Sequence, residues 1–438
     1  MSDETLEEVV RITRDLIRFD TTTFGPGRAK GESEAADYVQ ALLEEVGLEC
    51  VRYDSKPGRT NLVTRWHGTD PNLPALIIHG HLDVVPADPA DWEVDPFAGE
   101  IRDGMLWGRG AVDMKNMDAM MIASVRSLIR AGMKPRRDLV LAFFADEESG
   151  GGDGAQWMVT EHPELFENVN LSITEGGGAS ITVKGSRRYL LNTGEKGLLW
   201  IRLRAKGSAG HASLVARDNA IITLAAAVAR LGAEKWPISL GVTTRETLRR
   251  LAELTGDGPD ADPLELAAAV GPSARNIVAS LRNVGNVTMF EAGYKENVVP
   301  ARASALIDVR FLPGQRDEVI ARVQEIVGEK VELEIEMDLI SMESPFEGEL
   351  IDIISDSIAA SDEGADVLPY LVAGGTDNRA LSRLGIVGYG FVPMLLPEGF
   401  DFPAMFHGVN ERVPIASLLF GEQVLGDIIT RYCGVRLP

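Results

Sequence analysis

Cysteine, histidine and positive charge are all scarce in this chain of 438 residues. Two cysteines, Cys50 and Cys433, cannot build a disulfide framework and suit a reducing compartment. With 43 Lys+Arg against 66 Asp+Glu, the formal net charge is −23. That balance argues against nucleic acid and against an anionic membrane surface, because no basic surplus exists to displace counterions. Long apolar runs are missing too: the longest, residues 220–229, has Thr223 inside it and is about half of a bilayer crossing. The start, Met1-Ser2-Asp3-Glu4-Thr5, carries no basic segment and no apolar stretch, so no signal peptide is expected. What is present is an ordinary globular mix, 45% hydrophobic and 25% charged. The expectation is a soluble, cytoplasmic protein with no nucleic-acid and no membrane partner, built as two domains or as one carrying an insertion.

Helix-period stripes at residues 6–19, 34–46 and 118–131 alternate with short apolar runs at 50–53, 61–66, 76–79, 138–145 and 171–174. Helices alternating with such strands imply an α/β sheet covered on both faces. The pattern changes near Lys196. A strand at 198–205, a helix from Asp218 as N-cap to Leu231, strands at 277–284 and 304–311, a helix at 317–327 and a strand at 331–337 follow. With the acidic, helix-flavoured excursion at 234–275 left out, the order is β-α-β-β-α-β, a ferredoxin-like split motif. The expected organisation is an α/β part at 1–195, an inserted domain at 196–337, and the α/β part resuming at 338–438.

Six histidines are few enough to weigh singly. His79-Gly80-His81-Leu82-Asp83 follows a strand, and on extended backbone His81 and Asp83 point the same way. A carboxylate so placed can hold one imidazole nitrogen and leave the other for a metal, although a surface hydrogen bond is an equal reading. Gly108-Arg109-Gly110 suggests a dinucleotide loop, but Asp113 stands where a third Gly or Ala belongs. Alone, Asp113 reads as a helix-leading residue. Asp146-Glu147-Glu148-Ser149 comes directly after an apolar strand, at the sheet edge where α/β proteins bind ligands. A solvated acidic loop is the competing reading. Glu147 and Glu148 diverge on the backbone, so one can ligate while the other handles protons. Glu175-Gly176-Gly177-Gly178 also follows a strand, and His407 sits in Met405-Phe406-His407-Gly408; singly, these read as a turn and a core imidazole. Taken together, two histidines and three carboxylates suit a pair of divalent ions bridged by one carboxylate, with Zn²⁺-type ligands. Such a pair polarises a carbonyl and generates hydroxide from water, and a spare carboxylate shuttles the proton.

On these motifs, in order from about Ile77 to Pro414, the chain resembles the M20 family of metallopeptidases. The resemblance implies an α/β fold: a mixed-sheet zinc-peptidase catalytic domain with an inserted ferredoxin-like (βαββαβ) lid. It implies two Zn²⁺, with Co²⁺ able to substitute. It makes Asp113 the bridging carboxylate, His81 and Glu175 ligands of one metal, and Glu148 and His407 ligands of the other. Glu147 becomes the general base and Asp83 the residue that orients the ligand imidazole. Gly210-His211-Ala212-Ser213 is similar to the lid motif whose histidine reaches a partner's active site in dimeric members and stabilises an oxyanion, which implies a homodimer through the lid. Asn297 and Arg310 match lid residues that contact substrate, with Arg310 a bidentate carboxylate clamp or, on the competing reading, half of an ion pair. Gly374-Gly375-Thr376-Asp377 looks like the family's Gly-rich loop, whose backbone N–H groups form an anion nest, with Gly375 and Thr376 at its centre. The implied activity is hydrolysis of the amide bond of an N-acyl amino acid or short peptide with a free carboxylate, by metal-bound hydroxide. A dipeptidase of the same chemistry and a metal-binding homologue without turnover are the alternatives, and Glu147 favours turnover. His67 and His162 match no motif and read as surface residues.

Overall fold

The computed structural model describes residues 6–25, 27–258 and 260–437; the acidic start at residues 1–5 lies outside the described residues. Ten strands form one mixed sheet. Its centre is three parallel neighbours, Leu139–Phe144, Ala75–His81 and Val169–Thr174. On one side Arg59–Trp66 and then Cys50–Lys56 add antiparallel; on the other Val387–Gly390 leads to Ser186–Glu195. Along Leu139–Phe144 every residue is buried, as a strand covered on both faces requires. Leu139, Leu141 and Phe143 face a layer with helices Glu8–Arg18, Lys115–Arg130 and Ile415–Cys433. Val140, Ala142 and Phe144 face helices Ala155–Glu161 and Asn378–Ser382. The three parallel strands therefore run out at one common edge, and their following loops converge there. No helix among the described residues is long and apolar enough to cross a membrane.

A second sheet is antiparallel, with Val284–Ala292, Arg302–Phe311, Gly197–Lys206 and Val331–Leu339 in spatial order. Helices Ala220–Ala233 and Arg316–Val327 pack against it around Leu199, Ile201, Leu224, Ile307 and Val323. On the opposite face Arg202, Arg204 and Lys206 pair with Glu336, Glu334 and Glu332 in a charged ladder. The order of these six elements is β-α-β-β-α-β.

Three local expectations are corrected. Residues 277–284 are not one strand: Ala274–Ser280 is a helix, and the strand begins at Val284. Ile277 and Leu281, four apart, share the buried side of a helical turn, a spacing that a short apolar run conceals. The N-cap of Ala220–Ala233 is Asn219, whose side chain accepts from the Ile221 and Ile222 N–H groups, while Asp218 accepts from Ser208. The helical part of the excursion, expected within the inserted domain at 196–337, does not pack on the small sheet. Its helices Val242–Thr255, Pro263–Ala268 and Ala274–Ser280 bury Leu248, Leu251, Leu266 and Ile277 against Ile181, Leu190, Leu368 and Tyr370 of the large sheet. The chain consequently passes between the two sheets near residues 196, 234–241, 281–283 and 340, two crossings more than a simple insertion needs.

Truncation tests this placement. Leu251→Ala should destabilise by about 2–5 kcal/mol in denaturant unfolding, as a fully buried leucine does. Ile222→Ala, exposed on the small sheet's helix, should stay within about 0.5 kcal/mol. A Leu251 variant as mild as the Ile222 variant would mean that the excursion is not part of the main core.

Candidate metal centre

The centre is assembled from the loops after the parallel strands, with Asp113 from the start of a helix and His407 from near the C-terminus. His81 ends strand Ala75–His81, Glu147 and Glu148 lie in a turn after Leu139–Phe144, and Glu175 follows Val169–Thr174. Asp113 precedes helix Lys115–Arg130, and His407 lies in the loop before Arg412–Pro414. His407 adopts left-handed backbone (φ 56°), and the next residue must be Gly408, where a Cβ would lie 2.1 Å from the Ala404 carbonyl oxygen. Two triads result, His81–Asp113–Glu175 and Asp113–Glu148–His407, each with ligand atoms within 4.8 Å of one another.

Asp113 belongs to both. One of its oxygens is 3.2 Å from His81 Nε2 and the other 3.2 Å from His407 Nε2. Glu175 lies 3.6 Å from His81 Nε2, and Glu148 lies 3.1 Å from His407 Nε2. All are buried or partly buried except His407, whose side chain is 55% exposed. Burial, with the Asp113 charge adding to it, pushes the Glu175 carboxyl up to about 7 and raises Glu148 as well. Burial also raises Glu147, and Glu175 and Asp377 add to that. Asp113 is buried too, yet hydrogen bonds from His407 and His81 hold its carboxyl below the ordinary range. The bonds to Asp113 and Glu148 lift the His407 imidazole to about 10. Glu148 Oε1 is buried without a hydrogen-bond partner, and three carboxylates face two imidazoles, so the donor set fits a pair of divalent cations. Glu147, close to His81, Glu175 and Glu148, makes no side-chain hydrogen bond or ion pair among the described residues.

Asp83 lies against His81 and also has a second task. His81 Nδ1 meets the Asp83 backbone carbonyl at 2.9 Å, and the carboxylate is farther away, at 3.6 Å. The two carboxylate oxygens also accept the Glu147 and Glu148 N–H groups at 3.1 and 3.2 Å, fixing the turn that carries both. Sequence reading missed Glu411. Fully buried, it pairs with Arg109 at 2.6 Å and accepts the N–H groups of Gly110, Val112 and Asp113. It lies four residues after His407, so one short stretch serves both the imidazole and the Asp113 loop.

The remaining expected residues stand apart from this cluster. His211 is exposed and takes a hydrogen bond from Ser213 at its Nδ1; no bond links it to the carboxylates. The Asn297 carbonyl accepts the Ala212 N–H, and His211 pairs with Val298 in a two-stranded ribbon, so the structure does bring Asn297 and His211 together. Arg310 is forked onto Asp308, at 2.7 and 3.0 Å, the ion-pair reading. The anion nest expected at Gly375 and Thr376 is corrected. The Thr376 N–H and hydroxyl both go to buried Glu195, and the Arg379 guanidinium covers Gly375 so closely that a Cβ would lie 1.7 Å from its carbon. His67 is exposed, whereas His162 packs its ring against Tyr53 and Trp157.

Two overlapping triads of buried acids and imidazoles at the edge of a parallel sheet, with an unpaired glutamate alongside, are the construction of a metal-dependent hydrolase. The chain belongs to peptidase family M20/M25/M40, which matches residues 77–431. It is 29% identical to the N-fatty-acyl-amino acid synthase/hydrolase PM20D1 of Xenopus tropicalis over 94% of this chain and 83% of that one. It is also 29% identical to the succinyl-diaminopimelate desuccinylase of Rhodospirillum centenum, over 97% of each. The fold matches the M20 family metallo-carboxypeptidase Sso-CP2 of Sulfolobus solfataricus with a TM-score of 0.76 at 20% identity, covering 98% of this chain and 100% of the other.

Proposed function

We propose that this protein hydrolyses the amide bond of an N-acyl amino acid or short peptide bearing a free carboxylate. The observation that carries the reading is Asp113, with one oxygen turned to each triad and Glu147 beside it. His81, Asp113 and Glu175 would hold one Zn²⁺, and Asp113, Glu148 and His407 a second, with Co²⁺ able to substitute. When bound, such a pair supplies polarisation of the amide carbonyl and a lowered pKa for water. Glu147 takes a proton from the attacking water as the oxygen–carbon bond forms, then delivers it to the amine nitrogen as the carbon–nitrogen bond breaks. Desolvation favours this role, since a carboxyl held above its ordinary range is a better match to a shuttle working near neutral pH. The names of the relatives, an N-fatty-acyl-amino acid hydrolase and a desuccinylase, support acyl amino acids over dipeptides.

The small sheet and its two helices, within residues 196–337, are read as the lid, with Asn297 and Arg310 contacting substrate once it closes. Arg310 would have to exchange Asp308 for the substrate carboxylate. His211, exposed and away from the carboxylates of its own chain, is read as serving the centre of a second copy in a homodimer.

With zinc added, a panel of N-acetyl, N-succinyl and long-chain N-acyl amino acids should be hydrolysed faster than dipeptides. Glu147→Gln should keep its metal and lose at least ~10² in kcat, the scale of a missing general base. Activity surviving exhaustive chelation, or an undiminished Glu147→Gln enzyme, would refute the mechanism. Mixing inactive His211→Ala with inactive Glu147→Gln protein should recover activity through mixed dimers. No recovery, with subunit exchange verified, would place His211 action within one chain.

A further inference from the structure

We propose that Arg59 is a positioning residue for this centre: through Asp146 it sets the turn that carries Glu147 and Glu148. The inference rests on the proposed function for its kinetic consequence but not for its geometry. Asp146 immediately precedes Glu147 and sits in left-handed backbone (φ 67°), a conformation unfavourable for a non-glycine residue unless its surroundings impose it. Its carbonyl accepts the Ser149 and Gly151 N–H groups, at 3.1 and 2.7 Å, and closes the turn. One carboxylate oxygen accepts the Asp153 N–H at 2.9 Å, and the other takes Arg59 Nη2 at 2.6 Å. Nη1 of the same guanidinium lies 2.9 Å from buried Glu32.

Arg59 begins strand Arg59–Trp66, and the hairpin it shares with Cys50–Lys56 supports the same turn elsewhere. The Ser55 hydroxyl and Asn61 side chain donate to the Asp153 carbonyl, Lys56 pairs with the Asp153 carboxylate, and Asn61 Oδ1 accepts the Ala145 N–H. Those contacts bracket the turn at residues 145 and 153; of the hairpin's contacts, the Arg59 fork is the one that reaches the residue before the base. It also has an electrostatic task. Glu32, Asp83 and Asp146 are buried close enough that the charges of Asp83 and Asp146 raise the Glu32 carboxyl to about 8, after burial itself. Among the described residues no other Lys or Arg pairs with any of the three. A planar two-armed cation spans two carboxylates in fixed geometry, which a lysine ammonium does not.

The test is kinetic and spectroscopic together. Arg59→Met should lower kcat roughly tenfold to a hundredfold, as loss of a supporting partner behind a metal ligand does, with KM little changed and bound metal undiminished. Arg59→Lys should recover part of that loss. In cobalt-loaded protein the visible absorption should change in Arg59→Met, because Glu148 shares the turn, and return toward wild type in Arg59→Lys. Asp146→Asn, which keeps its size, should reproduce the Met phenotype and covers the case in which Arg59→Met does not fold. If folded Arg59→Met or Asp146→Asn keeps wild-type kcat and the wild-type cobalt spectrum, or if activity falls only in step with the folded fraction, the positioning role is wrong. Should the wild type hydrolyse none of the panel, the functional reading fails, while the cobalt spectra still decide whether Arg59 sets the Glu148 turn.

Discussion

The structure turns on a concentration of buried negative charge around Asp113. A carboxylate that shares its two oxygens between His81 and His407 must be held from several directions. Glu411 accepts three backbone N–H groups of the Asp113 loop, and Arg109 neutralises Glu411. Asp83 plays the matching part for the acidic turn, and Arg59 anchors that turn from the hairpin side. Asp113, Glu147 and Glu148 are thus each backed by another carboxylate that accepts the backbone N–H. This is the arrangement expected where charged ligands must be in place before a cation arrives, since an unpaired buried carboxylate left to itself shifts its pKa and neutralises.

The same loops are coupled to the small sheet. Glu195 ends the strand that leads into it, and it binds the amide and hydroxyl of Thr376 and, at 3.3 Å, the Arg379 guanidinium. Arg379 also donates to the carbonyls of Lys196 and Gly374. The loop at 374–379 is therefore fastened to the first crossing between the sheets and is not open for an anion. Two further crossings come from the helices of residues 242–280, which pack on the large sheet. Any movement of the small sheet relative to the large one must bend four chain segments together, which narrows its range compared with a two-stranded hinge.

Much of the site was legible because its chemistry lies directly after strands. His81, Glu147, Glu148 and Glu175 each come at or just after the end of a short apolar run, and such continuous runs are the local signal of strands covered on both faces. Asp113 and His407 needed the family resemblance, since a Gly-rich turn and a lone histidine have ordinary local explanations. What stayed hidden was long-range pairing. Arg59 meets Asp146 across 87 positions and Glu411 meets Gly110 across 301, and no periodicity announces such partners. The excursion was misplaced for a similar reason: Leu248, Leu251 and Leu266 mark an amphipathic face, but nothing local says which sheet it covers. The reading of Thr376 as a nest residue failed because its amide is already bound to Glu195.

The claim on which everything depends is that two cations share Asp113. Anomalous diffraction from crystals grown with Zn²⁺ measures this directly. Two peaks about 3.5–4 Å apart, one beside each Asp113 oxygen, are predicted. A single peak, or two peaks too far apart for one carboxylate to reach both, would contradict it.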